Sequence, residues 1–384
     1  MELPQGFAAH VVSLGIKDHS DDFVLVACAD LGAAAGVFTR SRFAGPSVII
    51  SREHLADLRA RAVVVVSKNA NVATGAEGLA NAREVVAGVA RAIGCDERDV
   101  AIASTGVIGR QYPMERIRAG LAALPAWPAG RAADDVARGI MTTDTVPKTA
   151  DAIIGAGPAR VVGVAKGVGM IEPDMATLIS LVFTDAAVDG PVLDGILRRT
   201  VDVTFNCVSV DTDTSTSDSV IAMSSGVAGP VDAGALEAAV HDVLRSLARQ
   251  VARDGEGAET LIEVRVDGAR DRAQAKRVAK SIVNSPLVKT AVHGADPNWG
   301  RVAMAVGKCS DDTDIDESRV VIRFGDMEVY PAQVDAEGLE RLSDYMRGDE
   351  VLIHVSLGTG TQEATVWGCD LTDGYVRINA DYTT

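Results

Sequence analysis

The residues Lys166-Gly-Val-Gly-Met-Ile-Glu-Pro-Asp-Met-Ala-Thr177 run directly into the apolar stretch Leu178-Ile-Ser-Leu-Val-Phe-Thr-Asp-Ala186. A glycine-containing loop therefore delivers one threonine to the first position of a short strand. Such a chain could break itself at Ala176–Thr177 and expose a new N-terminal threonine. The freed α-amino group would then act as base for its own hydroxyl, one of the few ways to make a weak oxygen nucleophile useful near neutral pH. A purely structural reading also fits, because β-branched residues suit strands.

Other polar islands punctuate the chain: Ser104-Thr-Gly106, Met141-Thr-Thr-Asp144, Asp254-Gly-Glu-Gly257, Lys289–Arg301 and Tyr375–Thr384. The stretch Ser209–Asp218 is dense in hydroxyls and carboxylates. It fits either a capped turn or a wall of hydrogen-bond partners beside a site. Most familiar catalytic signatures are absent. Gly167-Val-Gly-Met-Ile-Glu172 begins like a dinucleotide fingerprint, but Glu stands where the third glycine belongs and a strand follows. No phosphate-cradling Walker loop and no G-x-S-x-G elbow occur. Asp312–Asp316 and Asp211–Ser215 both fail the calcium-loop pattern at its sixth and twelfth positions; the first reads as a solvated loop. The six histidines are too scattered to signal a metal site or triad, and His241 and His354 read as structural.

Positioning these islands requires a framework of strands. Phe23–Cys28 and Gly36–Thr39 read as short strands, and Ala62–Ser67 as one buried on both faces. A helix over about residues 76–93 follows, then a strand at Val100–Ser104 and a helix at Ala132–Met141. Beyond Thr177, Ala233–Ala252 has the clearest helical spacing, Leu261–Val266 alternates as a half-exposed strand, and a helix covers about residues 271–282. Strands are expected at Val320–Phe324, Met327–Tyr330, Val351–Ser356, Ala364–Gly368 and Tyr375–Ala380. Strands interspersed with amphipathic helices favour stacked sheets covered by helices over strict βαβ winding.

Composition narrows the class. At 384 residues the chain is long enough for two domains or one large layered unit. Only 4% of residues are aromatic, so Val, Leu, Ile and Ala must build the core. A net charge of −16 speaks against a nucleic-acid or anionic-membrane surface. Five dispersed cysteines form no C-x-x-C pair, so buried free thiols in a reducing compartment are expected. With no signal-peptide pattern and no run of eighteen apolar residues, a cytoplasmic location is expected.

Three strings in order, the K-G-x-G-M…M-A-T loop, Gly294-Ala-Asp-Pro-Asn-Trp-Gly-Arg301 and Asn379-Ala-Asp-Tyr-Thr-Thr384, are specific. On them the chain resembles the ornithine acetyltransferase family, the self-processing glutamate N-acetyltransferases of arginine biosynthesis, along essentially its whole length. Arg110–Glu115 and Lys308–Asp316 look more like the version found in clavulanic-acid-type antibiotic gene clusters. The resemblance implies cleavage between Ala176 and Thr177, with Thr177 as nucleophile. It implies an oxyanion hole at Thr105 and Gly106, although Thr-Gly alone would read as a turn after a strand. Substrate contacts are implied for Thr142 (or its neighbour Thr143), Lys166, Glu256, Asn379 and the terminal Thr384. Asp296–Arg301 is read as a rigid loop behind the site.

The same resemblance implies an αββα sandwich, α/β in class, with a smaller α/β lobe. Residues 1–176 and 177–384 would be the α and β chains after cleavage, interleaved in one unit and associated in a higher oligomer. The implied reaction moves acetyl from N2-acetyl-L-ornithine to L-glutamate through an acetyl-threonine. The expected partners are those small molecules, with acetyl-CoA as a second donor that some members accept; no nucleic acid, membrane, metal or cofactor is expected. Two rivals stay open: an amidase or aminopeptidase on the same self-processing fold, and an unprocessed ligand-binding relative.

Overall fold

The apolar runs and amphipathic segments resolve into two lobes. The computed structural model describes residues 1–172 and 178–381. The larger lobe comprises, in chain order, β1 (Phe7–Val12), β2 (Phe23–Phe38), α1 (Pro46–His54), β3 (Arg59–Val66), α2 (Gly75–Ile93), β4 (Val100–Ser104), α3 (Met114–Ala122), α4 (Ala133–Gly139), β5 (Lys148–Ile153), β6 (Arg160–Lys166), β7 (Ile179–Ala187), α5 (Gly190–Val203), β8 (Ser219–Pro230) and α6 (Ala233–Arg253). The smaller lobe follows with β9 (Leu261–Ala269), α7 (Arg272–Val283), α8 (Pro286–His293), α9 (Trp299–Gly307), β10 (Val321–Phe324), β11 (Met327–Tyr330), α10 (Ala336–Met346), β12 (Glu350–Ser356) and β13 (Gln362–Cys369). The last described element is α11 (Asp373–Asp381).

Strands of the larger lobe run in the order β4-β3-β2-β8-β7-β6-β5, with β1 also on β2. β2 serves both halves: Phe23–Ala27 pairs with β3, and after an irregularity Ala34–Phe38 pairs with β8. Segments from either side of residue 177 therefore alternate, with β7 and β8 inserted between β2 and β6.

Alternation along each strand sets the layers. Val63 and Val65 of β3 join Leu181, Phe183 and Ile221 in a core between the two halves of the sheet. Val64 and Val66, pointing the other way, pack under Val85, Val86 and Val89 of α2. On the far side Val182 and Val220 lie under α5 and α6. The result is helices, sheet, sheet, helices, the αββα sandwich that the resemblance implies. Helix α6 is capped by Asp232, whose carboxylate accepts from the Ala235 N–H at 2.8 Å. Its stripe of Leu236, Val240, Val243, Leu244, Leu247 and Val251 is buried, each worth about 1.5–3 kcal/mol. The same core continues into the smaller lobe, whose sheet runs β11-β10-β12-β9-β13.

Three expectations are corrected. Tyr375–Ala380 is helical within α11, not a strand; among the described residues no strand pairs with it, and its side chains stay largely exposed. Phe23–Cys28 and Gly36–Thr39 are not separate strands, because the small-residue stretch Ala29–Ala35 between them continues as one bent strand. Asp312 is not solvated: it is 5% exposed and accepts from the Arg270 and Arg277 guanidiniums. Those cations hold its carboxyl below the usual range, Arg277 most strongly. All five cysteines are free. Among the described residues no helix is long and apolar enough to cross a membrane.

Candidate active site

Thr105 and Gly106 leave the end of β4 as a tight turn against the loop after β3. The Thr105 N–H donates to the Val66 carbonyl at 3.1 Å and the Val107 N–H to Lys68 at 3.4 Å. Gly106 sits at φ +127°, where a Cβ would lie 2.2 Å from the Lys68 carbonyl carbon. Only glycine fits this backbone approach. Among the described residues no group accepts the Gly106 N–H, and the residue borders a cavity of ≈ 290 Å³.

Several chain segments meet around that cavity, among them the β4 turn, Thr142 and Thr143, Lys166 with the loop after β6, Leu178 and Ile179, Ser215–Asp218 before β8, and Glu256 facing Asn379. Lys166 is buried, and its ammonium donates to Thr105 Oγ1 at 3.2 Å. Burial pulls the Lys166 pKa below that of a free lysine; Asp144, Asp218 and Glu256 pull it back, and Lys148 repels. Glu256 is tied down by its own N–H to the Val168 carbonyl at 2.8 Å. Its two oxygens accept from Thr143 Oγ1 at 3.2 Å and Asn379 Nδ2 at 3.0 Å. Gly169 makes room for this carboxylate, since a Cβ there would lie 2.6 Å from Glu256 Oε2.

Beneath these groups lies a buried ionic network that sequence reading did not single out. Lys148, fully buried, donates to Asp144 Oδ1 at 2.7 Å and Asp254 Oδ2 at 2.5 Å. Asp144 also accepts from the N–H groups of Thr142 and Gly167, at 3.1 and 2.7 Å. Burial alone would raise the Asp144 pKa, but Lys166, Lys148 and the Gly167 N–H outweigh it and hold the carboxyl low. One carboxylate thus fixes Thr142 and the start of the Lys166 loop, while Asp254 fixes the approach to Glu256. The visible signal was a pair of opposite charges four residues apart in a stretch with no helical pattern.

Ser209–Asp218 divides into both of its readings. Asp211 accepts from the N–H groups of Met170 and Ile171 at 2.6 and 2.7 Å, anchoring the loop. Ser215–Asp218 form cavity wall. Thr177, Ala176 and Thr384 lie outside the described residues, so neither the cleavage point nor the chain end is placed here. The described residues that flank the expected cleavage point are held in place. Glu172 accepts from Asn284 at 2.6 Å and Lys280 at 3.2 Å, and the Leu178 carbonyl accepts from Ser219 at 3.0 Å.

Asp296–Arg301 contributes nothing to the described cavity lining. Trp299 instead stacks on Tyr330 in the smaller lobe, with ring centroids 5.1 Å apart. His241 is half-buried on α6, and His354 pairs with Asp267 at 2.8 Å. His293, Glu259 and Asp370 come together away from the cavity, with His293 Nδ1 3.2 Å from Asp370 Oδ2.

The site combines a hydroxyl, an amide N–H, a buried cation and an anchored carboxylate around one small cavity. It suits a charged amino-acid substrate and an oxyanion. The family model described as the ArgJ family matches residues 8–384. A Streptomyces clavuligerus protein named glutamate N-acetyltransferase Oat2 is 57% identical over 388 residues, covering 99% of this chain and 98% of its own. A Nostoc protein named arginine biosynthesis bifunctional protein ArgJ 2 is 55% identical over 381 residues, with 99% and 98% covered. The crystal structure of arginine biosynthesis bifunctional protein argJ from Bacillus halodurans shares 40% identity at a TM-score of 0.50. It covers 54% of this chain and 100% of its own. With cavity, turn, loop and chain end all inside one end-to-end match, the chain belongs to the ArgJ family.

Proposed function

We propose that this chain is a self-processing acyltransferase that moves acetyl from N2-acetyl-L-ornithine to L-glutamate. The observation that carries the reading is the gathering of Thr105, Gly106, Lys166, Glu256 and Asn379 around one cavity bordered by Leu178, the residue after Thr177. The naming of the Streptomyces relative as a glutamate N-acetyltransferase supports the reaction type.

Self-cleavage at Ala176–Thr177 frees the Thr177 α-amino group. With a reference pKa of about 7.7–8.0, that amine takes the hydroxyl proton at cellular pH. The Thr177 oxygen attacks the acetyl carbonyl, and negative charge develops on the acetyl oxygen. The Thr105 hydroxyl and Gly106 N–H are the donors for it, one such donor being worth about 3–4 kcal/mol. The nitrogen of ornithine takes the proton and leaves, and the acetyl group remains on Thr177 as an ester. Glutamate then enters, and its amine takes the acetyl group in a ping-pong cycle. Glu256, steadied by Thr143 and Asn379, receives the side-chain ammonium of ornithine. Lys166 faces the carboxylate that both substrates carry, and Thr142 and Thr384 complete the substrate contacts.

The α and β chains, 1–176 and 177–384, would stay joined through the β2–β8 and β6–β7 ladders. The Bacillus halodurans structure supports this division: its whole chain corresponds to 54% of this one, the share that residues 177–384 make up.

Mass spectrometry of the purified protein tests the reading. Two fragments are expected, one ending at Ala176 and one beginning at Thr177, with Thr177→Ala remaining intact and inactive. An intact, fully active wild-type chain would overturn it. Supplying acetylornithine with and without glutamate separates transferase from amidase, since the latter releases acetate regardless of glutamate. Acetyl-CoA in place of acetylornithine tests the second donor.

A further inference from the structure

The Gly106 N–H is aimed only as well as its turn is held, and the turn rests on one peptide of the loop after β3. A Cβ on Gly106 would lie 2.2 Å from the Lys68 carbonyl carbon, 2.5 Å from Lys68 Cα and 2.6 Å from the Asn69 nitrogen. The Val107 N–H donates to the Lys68 carbonyl, and the Ala70 N–H donates back to the Val107 carbonyl at 3.0 Å. Lys68 itself stands at φ +70°, in the left-handed region that residues with a Cβ seldom adopt. Such a conformation persists only where the surroundings enforce it.

The lysine's own side chain supplies the restraint. Its ammonium donates to Asp18 Oδ1 at 2.8 Å, to the Ser20 carbonyl at 3.0 Å and to the Ser20 hydroxyl. An ammonium has three protons to give, and here all are given to one segment, the loop between β1 and β2. The ammonium in turn, together with the Ser20 hydroxyl, holds the Asp18 carboxyl below the usual carboxylate range. Asp22, buried at the end of that loop, pins it: its carboxylate accepts from the Leu14 and Ile16 N–H groups at 2.6 and 2.7 Å. The Asp22 carbonyl accepts from the Ser67 N–H at 2.9 Å. The β1–β2 loop therefore grips Lys68 twice, by the side-chain tip and by the main chain one residue before it.

We infer that Lys68 is a positioning residue for acyl transfer: its ammonium, clamped by Asp18 and Ser20, fixes the main chain that aims the Gly106 N–H into the cavity. This rests on the reading of Thr105 and Gly106 as the oxyanion donors. Lys68 is not part of the described cavity lining, so it acts through Gly106 and not on a substrate. Two lysines then divide the work: Lys166 orients the Thr105 hydroxyl, and Lys68 sets the N–H beside it.

Steady-state kinetics of the processed full-length enzyme test the assignment, with each rate taken per folded molecule. Lys68→Met keeps an unbranched stem and the same backbone demand but removes the three donors. Its kcat is expected to fall by about 10–10²-fold, the scale of a misplaced oxyanion donor, while KM for acetylornithine and for glutamate stays within about twofold. Lys68→Arg, whose guanidinium still donates to Asp18, should recover most of that loss. A lysine that only stabilised the fold would leave kcat per folded molecule unchanged in Lys68→Met, and that result overturns the inference. A loss expressed in KM and not in kcat overturns it too. If Lys68→Met does not fold, Asp18→Asn on the exposed partner carries the test: a lower kcat at unchanged KM supports the role, and a wild-type kcat overturns it. Failure of the oxyanion reading is seen separately, as an undiminished kcat in Thr105→Val.

Discussion

The Lys166 ammonium donates to the Thr105 hydroxyl at 3.2 Å, joining the end of β6 to the turn after β4. A hydroxyl that accepts from a cation has its own proton left to give. The bond therefore turns Thr105 into a donor at the cavity wall and polarises it, since charge-assisted hydrogen bonds are the stronger kind. It also couples the two roles proposed for these residues, substrate clamp and oxyanion donor. Exchange of Lys166 for a neutral residue therefore alters Thr105 as well.

Thr105→Val keeps the β-branched shape and removes only the donor. The expected result is a fall in kcat of about 10²–10³-fold with KM changed far less, because the lost bond is strongest in the transition state. Steady-state kinetics on the processed enzyme check this. An equal loss in KM alone would mark Thr105 as a ground-state contact.

Glu256→Gln should raise KM for acetylornithine much more than for glutamate, because only ornithine brings a side-chain ammonium. A charge-assisted hydrogen bond is worth about 1.5–3 kcal/mol, which corresponds to roughly 10–100-fold. Glutamine retains an acceptor oxygen for Thr143 or Asn379, so the cavity should keep its shape. Separate titrations of donor and acceptor provide the comparison.

The layering of the fold was legible because β3 carries a continuous apolar run of strand length and α6 a strong period-3.6 pattern. Alternation cannot reveal that β2 bends and continues, since its middle residues neither alternate nor break. Nor does it reveal α11: Tyr375–Ala380 alternates well enough for a strand, but among the described residues no strand pairs with it, and a helix satisfies its backbone locally. In the site, Thr105, Gly106, Lys166, Glu256 and Asn379 were found through a family likeness, and the structure brings all five to one cavity. Asp144 and Asp254 were noted only as ends of polar islands, and their common partner Lys148 was not found: Asp144 lies four residues from it, but the pair with Asp254 spans 106 residues and has no local signature.

Gly106→Ala should abolish the turn rather than merely stiffen it. Its Cβ would lie 2.2 Å from the Lys68 carbonyl carbon, at a φ that L-residues rarely adopt. Gly109→Ala is the control: its φ is also positive, but nothing lies within 4 Å of the added Cβ. Backbone strain alone costs of order 1–3 kcal/mol. Denaturant midpoints should therefore drop more for Gly106→Ala, which alone should lose transferase activity.

Lys148→Met tests the network beneath the cavity. Removing one partner of a buried ion pair typically costs about 3–5 kcal/mol, because the remaining charge is left without compensation. Here two carboxylates, Asp144 and Asp254, lose their shared cation. The loss should depend on pH in a definite direction. The Asp144 pKa is held below its ordinary value of 3.8 by Lys166, Lys148 and the Gly167 N–H, against the opposing effect of burial. A depressed carboxyl contributes stability that is present above its unfolded pKa and disappears as pH falls through the folded one. Wild-type stability should accordingly decline below about pH 4. In Lys148→Met the Asp144 carboxylate becomes easier to protonate, and protonation relieves its burial. The gap between variant and wild type should be widest near neutral pH and narrow as acid is added. Chemical denaturation of both proteins across that range measures the gap, and one that stayed constant would mean Lys148 stabilises by packing rather than by charge.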